Sequence, residues 1–237
     1  MKAGIMQPYF LPYLGYFSLI KHTDKFILLD TVQFIRHGWI ERNRILKPDN
    51  GWQYIQVPLV KPGGRDTLIK NLIINNKENW KNKILSQLQH YKKKAPNYNQ
   101  VIQLLNDIFS DNFEDIVSLN QRSLKKICSF LEFERNIEVF SKMNLQIEEV
   151  NAPDEWALNI CKALGVTDEY WNPPGGKSFF DKTKYQRENI ELKFHSINLY
   201  EYNQNRSQFE NGLSIIDVLM FNSIEEVRKM LDDYSLI

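Results

Sequence analysis

The stretch GIMQPYFLPYLGYFSLI, residues 4–20, decides the fold class that the sequence predicts. It connects an apolar run to a segment with helical spacing through a turn that holds prolines and tyrosines. Proline lacks the backbone donor that a central strand needs, so Pro8 and Pro12 exclude one long strand. The residue before a proline favours extended geometry, so no helix is expected to begin before Pro12. The stretch predicts a strand at residues 2–7, an aromatic turn, and a helix at residues 14–22.

The next apolar run continues this pattern. KFILLD, residues 25–30, has the length of a strand and ends in Asp30. A strand, a turn, a helix and a second strand within about thirty residues are typical of the βαβ unit of a parallel sheet. Strands are predicted again at residues 137–143 and 169–172, and YQRENIELKFHSI (185–197) is predicted to be a helix end followed by a strand. We therefore predict an α/β fold with a mainly parallel, Rossmann-like sheet.

A hairpin is predicted between these two groups of strands. WQYIQVPLV (52–60) and TLIKNLIIN (67–75) flank the turn-forming segment KPGGRD (61–66). Apolar and polar residues alternate in both flanking segments, so both are predicted to be strands.

The middle of the chain has the spacing of helices. Apolar residues recur three or four positions apart from residue 77 to about residue 131, and three helices fit this section, the last with Asp111 or Asn112 as its cap. No repeat, low-complexity tract or linker interrupts the chain. We predict a single α/β domain over residues 1–237 with a helical insertion at about 77–131.

Composition excludes several classes of protein. Lysine and arginine number 30 against 29 acidic residues, so nucleic acid is not a predicted partner. The cysteines, Cys128 and Cys161, have no metal-ligand spacing, and no metal site is predicted. Buried thiols are typical of a reducing compartment. Because the sequence contains neither a signal peptide nor an apolar run of membrane-spanning length, a cytoplasmic protein without a membrane span is predicted.

The opening turn resembles a known nucleotide-binding motif. In HIGH-type nucleotidyltransferases a first strand leads into xPxHxGH at the start of a helix, and here FLPYLGYF places Tyr13 and Tyr16 where the histidines stand. Gly15 permits close backbone approach, and the free amides of a helix N-terminus attract an anion. Tyrosine, with a pKa of about 10, cannot supply the positive charge that histidine lends to a transferring phosphate. The resemblance favours an anionic ligand over intact nucleotidyl transfer; the structural alternative is an aromatic core turn.

Two further segments carry candidate binding residues. DTVQFIRHGWIERNRIL, residues 30–46, clusters arginines around a tryptophan, and guanidiniums suit carboxylate or phosphate while Trp39 offers a stacking face. An ordinary surface loop is the alternative. In NPPGGKSFFD, residues 172–181, the Walker spacing fails because residue 171 is Trp, so a substrate-binding loop and a mobile turn stay open. Asp217 in an apolar helix requires a partner, such as a loop or an arginine.

Four motifs in sequence order are together similar to the WbqC-like proteins: MQPYFLPYLGYF, GWIERNRI, PPGGKSFFD and LSIIDVLMFN. The similarity extends over essentially the whole chain. It implies a bacterial cytoplasmic protein associated with the biosynthesis of O-antigen, the polysaccharide of lipopolysaccharide, or of other surface polysaccharides. It also implies a glycine transferase role, in which an amino sugar is acylated.

We therefore expect a transferase that adds an acyl or aminoacyl group to the amine of a nucleotide-linked amino sugar. Arg36, Arg42 and Arg44 would hold the diphosphate, and Asp30 or His37 would be the general base. Tyr13, Tyr16 or Trp39 would contact the sugar or the base. The full set of expected substrate-binding residues is Gln7, Tyr9, Tyr13, Gly15, Tyr16, Gln33, Arg36, Trp39, Arg42, Asn43, Arg44, Gly175, Gly176 and Ser178.

Two alternatives stay open at the level of the sequence. One is a nucleotidyltransferase-like enzyme with an altered HIGH motif, and the other is a non-catalytic protein that binds nucleotide sugars. In each case the expected partner is a small molecule, and the sequence identifies no cofactor. The polar residues of the opening turn and of the arginine segment are expected to line one pocket near the carboxyl ends of the strands.

Overall fold

The computed structural model describes residues 1–61, 64 and 66–237. Its strands in chain order are β1 (Lys2–Met6), β2 (Lys25–Leu28), β3 (Arg42–Leu46), β4 (Trp52–Gln56), β5 (Ile137–Val139), β6 (Glu169–Asn172), β7 (Glu191–Ile197) and β8 (Tyr234–Leu236). Six of them form one sheet in the order β5-β2-β1-β6-β7-β8. All neighbours in it are parallel except β7 and β8. The predicted α/β fold with a mainly parallel, Rossmann-like sheet is confirmed.

Eight helices of the described chain connect or cover these strands. They are α1 (Leu14–His22), α2 (Trp80–Gln87), α3 (Tyr98–Phe109), α4 (Ile116–Phe130), α5 (Glu155–Leu164), α6 (Lys182–Arg187), α7 (Ile215–Phe221) and α8 (Ile224–Asp232). The unit β1–α1–β2 lies in the middle of the sheet, as the opening stretch predicts, with Gly15 as the second residue of α1. None of the helices in the described residues is both long and apolar enough to traverse a bilayer.

Helices α2, α3 and α4 follow one another between β4 and β5, in the section predicted to be helical. The cap of α4 is Asp115, whose carboxylate accepts a hydrogen bond from the Ser118 amide at 2.7 Å, rather than Asp111 or Asn112. That this section is an insertion into a single domain stays a prediction.

The predicted hairpin is different in the structure. Strand β4 pairs antiparallel with β3, which the sequence did not identify as a strand. Residues 67–75 contain a 3₁₀ turn at Ile69–Asn71 instead of a strand, and they pair with the first predicted segment only through an isolated antiparallel bridge of Leu59 with Ile74. The reason is that the amides of Ile69 and Lys70 donate to the carbonyls of Val32 and Asp30, so this backbone is bound to the loop after β2. The predicted turn at 61–66 includes Pro62, Gly63 and Arg65, which lie outside the described residues.

Strands β1 and β2 in the middle of the main sheet are buried on both faces, which explains their continuous apolar runs. Along β1 and β2, Phe26 and Leu28 enter a large core that also contains α1, α3, α4, α7 and α8. Their neighbours Ala3, Ile5 and Ile27 enter a smaller core with residues of α5 and β7. Because successive strand residues point to opposite faces, both cores are built from the same strands.

The direction in which successive strands are added across the sheet reverses between β1 and β6. From β1 the chain proceeds to β2 and β5 on one side, and after α5 it crosses to β6 and β7 on the other. In open parallel sheets the carboxyl ends of the two strands at such a reversal diverge and leave a crevice where ligands bind. The topology therefore places the expected ligand site beyond Met6 and Asn172.

Candidate functional site

A crevice of about 770 Å³ opens at this reversal point. We call it the switch-point crevice. Four connections line it, those after β1, β2 and β6 and the one that leads into α5. The lining residues are Ile5, Met6, Gln7, Tyr9, Leu29, Val32, Gln33, Ile35, Val150, Asn151, Ala152, Pro153, Trp156, Ala157, Tyr170, Asn172, Pro173, Gly175, Gly176, Phe179 and Phe180.

The lining of the switch-point crevice is aromatic, apolar and uncharged. Among the described residues that form it there is no lysine, arginine, histidine, aspartate or glutamate. Its polar groups are side-chain amides and tyrosine hydroxyls, and its walls carry five aromatic rings, including Trp156 and Phe180. Ligand pockets of this composition bind neutral rings by stacking and by a few directed hydrogen bonds.

Two polar side chains of the lining are available to a ligand. The Gln7 amide and the Tyr9 hydroxyl make no hydrogen bond to any described residue, although both side chains are partly buried. Burial raises the pKa of Tyr9, so its hydroxyl remains a neutral donor. Both groups line an open crevice and have no internal partner among the described residues, so they are available to a bound molecule. Asn172 differs, since its amide accepts from the Tyr170 hydroxyl at 2.9 Å and donates to Pro173.

The opening loop that carries Gln7 and Tyr9 is held by its backbone carbonyls. Four side chains donate to them, one from the adjacent helix and three from farther along the chain: Tyr16 to Gln7 at 2.8 Å, Asn43 to Phe10 at 3.0 Å, Asn120 to Pro8 at 2.7 Å and Ser214 to Leu11 at 2.7 Å. An irregular buried loop needs such donors because its backbone has no strand or helix partner. Asn43, Tyr16 and Ser214 therefore position the loop, and their polar groups do not face the crevice lining.

The first turn of α1 is covered by its own cap residue. A Cβ atom on Gly15 would lie 2.5 Å from the Tyr13 ring, so the glycine makes room for this ring. Tyr13 lines a separate small cavity of about 20 Å³ together with Tyr202 and Gly212. Because Leu14, Gly15 and Tyr16 are also buried, this helix N-terminus is closed to an anion.

Two of the three expected diphosphate ligands are engaged in internal contacts. The Arg42 guanidinium donates to the carbonyls of His37 and Gly38 and lies 4.1 Å from the centre of the Tyr54 ring. Arg44 donates to the Gly212 carbonyl at 2.9 Å. Its guanidinium also lies 5.5 Å from the Trp39 ring and 5.1 Å from the Trp52 ring. These arginines pack as cation–π pairs on the outer face of β3 and β4.

The two expected catalytic residues have different surroundings. Asp30 is buried, and its carboxylate accepts from the Ser141 amide at 3.0 Å and from the Ser141 hydroxyl, which joins the ends of β2 and β5. His37 is exposed and has a left-handed backbone with φ of 66°. Neither lines the switch-point crevice, but His37 belongs to the loop that contributes Ile35 to it.

The wall formed by the start of α5 is fixed by charged residues behind it. Lys184 of α6 contacts Asp154 at 3.1 Å and Glu155 at 2.8 Å. The other carboxylate oxygen of Glu155 accepts from the amides of Asn151 and Ala152 at 2.8 and 3.0 Å. These contacts fix the backbone turn that carries the lining residue Asn151.

The opposite wall depends on one glycine. A Cβ atom on Gly176 would lie 2.2 Å from the Asn172 amide and 2.8 Å from the Phe180 ring. Real Cβ atoms do not approach other atoms so closely, and a larger residue would displace this wall.

Asp217 belongs to a closed cluster away from the crevice. Its carboxylate accepts from the hydroxyls of Tyr91 at 2.7 Å and Tyr202 at 2.5 Å and from the Gln204 amide at 3.0 Å. Burial raises the pKa of Asp217 to about 6 against the lowering effect of these hydrogen bonds. Its direct partners are neutral donors and not the arginine that the sequence suggested. We call these four residues the Asp217 cage.

The structure thus divides the expected binding residues into three groups. Those that line the switch-point crevice are Gln7, Tyr9, Gln33, Gly175 and Gly176. Those on loops beside it are Arg36, His37 and Ser178. Those that it does not bring to the crevice are Tyr13, Gly15, Tyr16, Asp30, Trp39, Arg42, Asn43 and Arg44.

Sequence reasoning missed much of the wall. Asn151, Trp156 and Tyr170 were missed, whereas Asn172, Phe179 and Phe180 belong to the segment 172–181 that was considered as a substrate-binding loop without being named individually. A signal for some of them was present, because Asn172 ends a predicted strand and ligands bind beyond such ends. Nothing local indicated that β6 would lie next to β1.

Comparisons with known proteins were informative at the level of the family. The sequence model of the WbqC-like protein family matches residues 7–229. A protein of Mycobacterium tuberculosis (strain ATCC 25618 / H37Rv), described as uncharacterized protein Rv1507c, is 29% identical over 223 residues, which cover 93% of each chain. No solved structure matches the chain at a significant level.

Proposed function

The chain belongs to the WbqC-like protein family, and on that premise we propose that it is a transferase of bacterial surface-polysaccharide biosynthesis. The proposed substrate is a nucleotide-linked amino sugar that binds in the switch-point crevice. The proposed reaction transfers an acyl or aminoacyl group, such as glycyl, to the sugar amine. Family membership supports the role in polysaccharide biosynthesis, and the crevice supports the class of substrate.

One observation carries this proposal. The uncharged crevice at the chain reversal presents the Gln7 amide and the Tyr9 hydroxyl without partners among the described residues. Sugar hydroxyls and nucleobase edges pair with such neutral groups, and their ring faces stack on aromatic walls. A volume of about 770 Å³ is within the range of small-molecule sites.

The proposed acyl transfer requires an activated acyl donor, the sugar amine and a general base. The amine nitrogen attacks the carbonyl carbon of an activated acyl donor, a C–N bond forms, and the bond to the donor's leaving group breaks with its electron pair. A general base receives the amine proton. We assign this role to His37, because its exposed imidazole lies on a loop that lines the crevice. Asp30 is less suited, because Ser141 already donates to both of its carboxylate oxygens.

A second function is favoured by a specific feature of the crevice. The described lining has no carboxylate and no imidazole, so it provides no general base of its own. This composition is compatible with a non-catalytic protein that binds nucleotide sugars. Nucleotidyl transfer lacks such support, because the first turn of α1 is buried under Tyr13.

The test has a binding stage and a turnover stage. Purified protein is screened for thermal stabilisation by uridine-, guanosine- and thymidine-diphosphate hexoses, coenzyme A thioesters and nucleoside triphosphates, since ligands that bind the native state raise its stability. The best sugar in its amino form is then incubated with isotopically labelled acyl and aminoacyl donors, and products are identified by mass.

The transferase proposal expects stabilisation by a nucleotide sugar and a labelled product. The variant His37→Gln should keep the stabilisation and lose most of the turnover. Binding without turnover with any donor would support the non-catalytic alternative. Absence of stabilisation by every nucleotide sugar would contradict both.

A further inference from the structure

Charge is distributed unevenly around the switch-point crevice, and this distribution indicates how a ligand would be oriented in it. The described lining of the crevice is uncharged, and on two of its walls a cationic residue directly follows a lining residue in sequence. The mouth is marked by Ile35 and Phe179, which line the crevice and are 67% and 52% exposed. These two residues belong to opposite walls, one after β2 and the other after β6.

On each of these two walls, a cationic residue is the next residue in sequence after a lining residue. Arg36 follows Ile35 directly, and Lys177 follows the lining residue Gly176. Both are exposed, and neither side chain forms an ion pair or a hydrogen bond with any described residue. The cations Arg42, Arg44 and Lys184 are instead engaged in internal contacts.

The acidic residues nearest to these cations in sequence are engaged or buried: Asp30 accepts from Ser141, Asp181 accepts from Thr183, and Glu41 is 5% exposed. The loop segments TVQFIRHGW (31–39) and PPGGKSFF (173–180) contain neither aspartate nor glutamate. The exposed Ser178 hydroxyl adds a donor to the second loop. On another wall the exposed Glu149 precedes the lining residue Val150, so an anion is favoured at the part of the mouth next to Arg36 and Lys177.

We infer that the ligand is bipartite, with a neutral ring inside the switch-point crevice and its phosphate groups at the mouth between Arg36 and Lys177. This inference rests on the proposed nucleotide-sugar substrate and deepens it. A phosphate inside the uncharged crevice would lose its hydration without a compensating charge. At the mouth the same group gains charge-assisted hydrogen bonds from a guanidinium and an ammonium. The diphosphate is thereby assigned to Arg36 and Lys177, and not to Arg42 or Arg44.

Titration calorimetry on the intact chain tests the inference. The probe is the nucleoside-diphosphate hexose that stabilises the wild type most. The double variant Arg36→Ala/Lys177→Ala should bind it about 10–100-fold more weakly, since each charge-assisted contact contributes to affinity. The charge-retaining variant Arg36→Lys/Lys177→Arg should keep most of the affinity, and higher ionic strength should weaken binding less in the alanine variant than in the wild type.

Matched controls separate this inference from the proposed function. The variant Lys83→Ala removes one exposed charge from α2, outside the lining, and should bind like the wild type. If the double alanine variant binds the nucleotide sugar with wild-type affinity, the bipartite arrangement is wrong while the proposed substrate class stands. If the wild type binds no nucleotide sugar, both fail. Unchanged melting temperatures of the variants show that the loss is one of binding and not of folding.

Discussion

The switch-point crevice and the Asp217 cage differ in how their polar groups are satisfied. In the switch-point crevice, the Gln7 amide and the Tyr9 hydroxyl have no partner among the described residues. In the Asp217 cage, both tyrosine hydroxyls and the Gln204 amide converge on one carboxylate. Both regions contain residues of the family motifs. A motif residue with a polar tip therefore indicates a binding site only where its polar group remains without an internal partner.

The largest expected effect comes from removing one oxygen from the cage. In Tyr91→Phe, Asp217 loses a hydrogen bond of 2.7 Å and the Leu46 amide loses its acceptor at 2.9 Å. Leaving a buried charge and a buried amide without these partners should cost roughly 3–5 kcal/mol of unfolding free energy. Chemical denaturation measures this loss. A loss below about 1 kcal/mol, the range of an ordinary surface substitution, would show that the cage is not a stabilising unit.

The next effect concerns the dependence of stability on pH. The folded pKa of Asp217 is about 6 and its ordinary value is 3.8, so the folded state binds more protons between these values. Stability from this group is therefore highest below about pH 4 and falls by about 3 kcal/mol as pH rises to about 6. In Asp217→Asn this fall should disappear.

The measurement is the difference in unfolding free energy between the wild type and Asp217→Asn at several pH values. The difference is needed because burial lowers the pKa of His195 to about 4, and that group contributes with opposite sign in the same range. A folded His195 of low pKa loses stability as pH falls from about 6.5 to about 4. A difference that is constant over pH 4–6 would refute the raised pKa of Asp217.

On the crevice side, the largest effect is expected from a steric change. Gly176→Val places atoms where the Asn172 amide and the Phe180 ring now lie. The displaced wall should weaken binding of the nucleotide sugar more than tenfold, which is about 1.4 kcal/mol. Gly175→Ala is the matched control, because a Cβ atom there meets no atom within 4 Å. Equal affinities of the two variants would show that this wall does not contact the ligand.

The smallest effect is expected from the same type of substitution, tyrosine to phenylalanine, in the switch-point crevice. Tyr9→Phe also removes one tyrosine oxygen, but this hydroxyl has no internal partner among the described residues. Stability should change by less than about 0.5 kcal/mol, whereas ligand affinity should fall about 3–10-fold through one lost neutral hydrogen bond. Calorimetry and denaturation on the same preparation measure both. A large loss of stability with unchanged affinity would reverse the assignment of the two regions.

Patterns with a strong local signal were predicted correctly. The unit from β1 to β2 was recognised because prolines, glycine and apolar spacing each restrict the backbone locally. Strand β3 was missed because Arg42, Asn43 and Arg44 hide the alternation of its faces. Residues 67–75 have the alternation of a strand, but the amides of Ile69 and Lys70 bind the loop after β2 and that of Ile74 binds Glu114, partners distant in sequence.

The candidate site was predicted only in part for the same reason. Gln7, Tyr9 and the glycines of PPGGKSFFD were expected, because strand ends and flexible turns are recognisable locally. The engagement of Arg42 and Arg44 depends on aromatic rings from β4 and the preceding loop. No sequence pattern shows whether a guanidinium is already bound.

By itself, the sequence determined the class of fold, the place of β1 and α1 in it, the family, and a short set of loops able to contact a ligand. The family follows from the similarity of four motifs. The fold class and the loops follow from periodicity and from the backbone restrictions of proline and glycine, which act between neighbouring residues. The tertiary structure alone decided which of the polar residues are free for a ligand. That outcome depends on hydrogen bonds between residues more than a hundred positions apart, such as Asn120 with Pro8 and Tyr91 with Asp217, and such partners are chosen only when the strands take their order in the sheet.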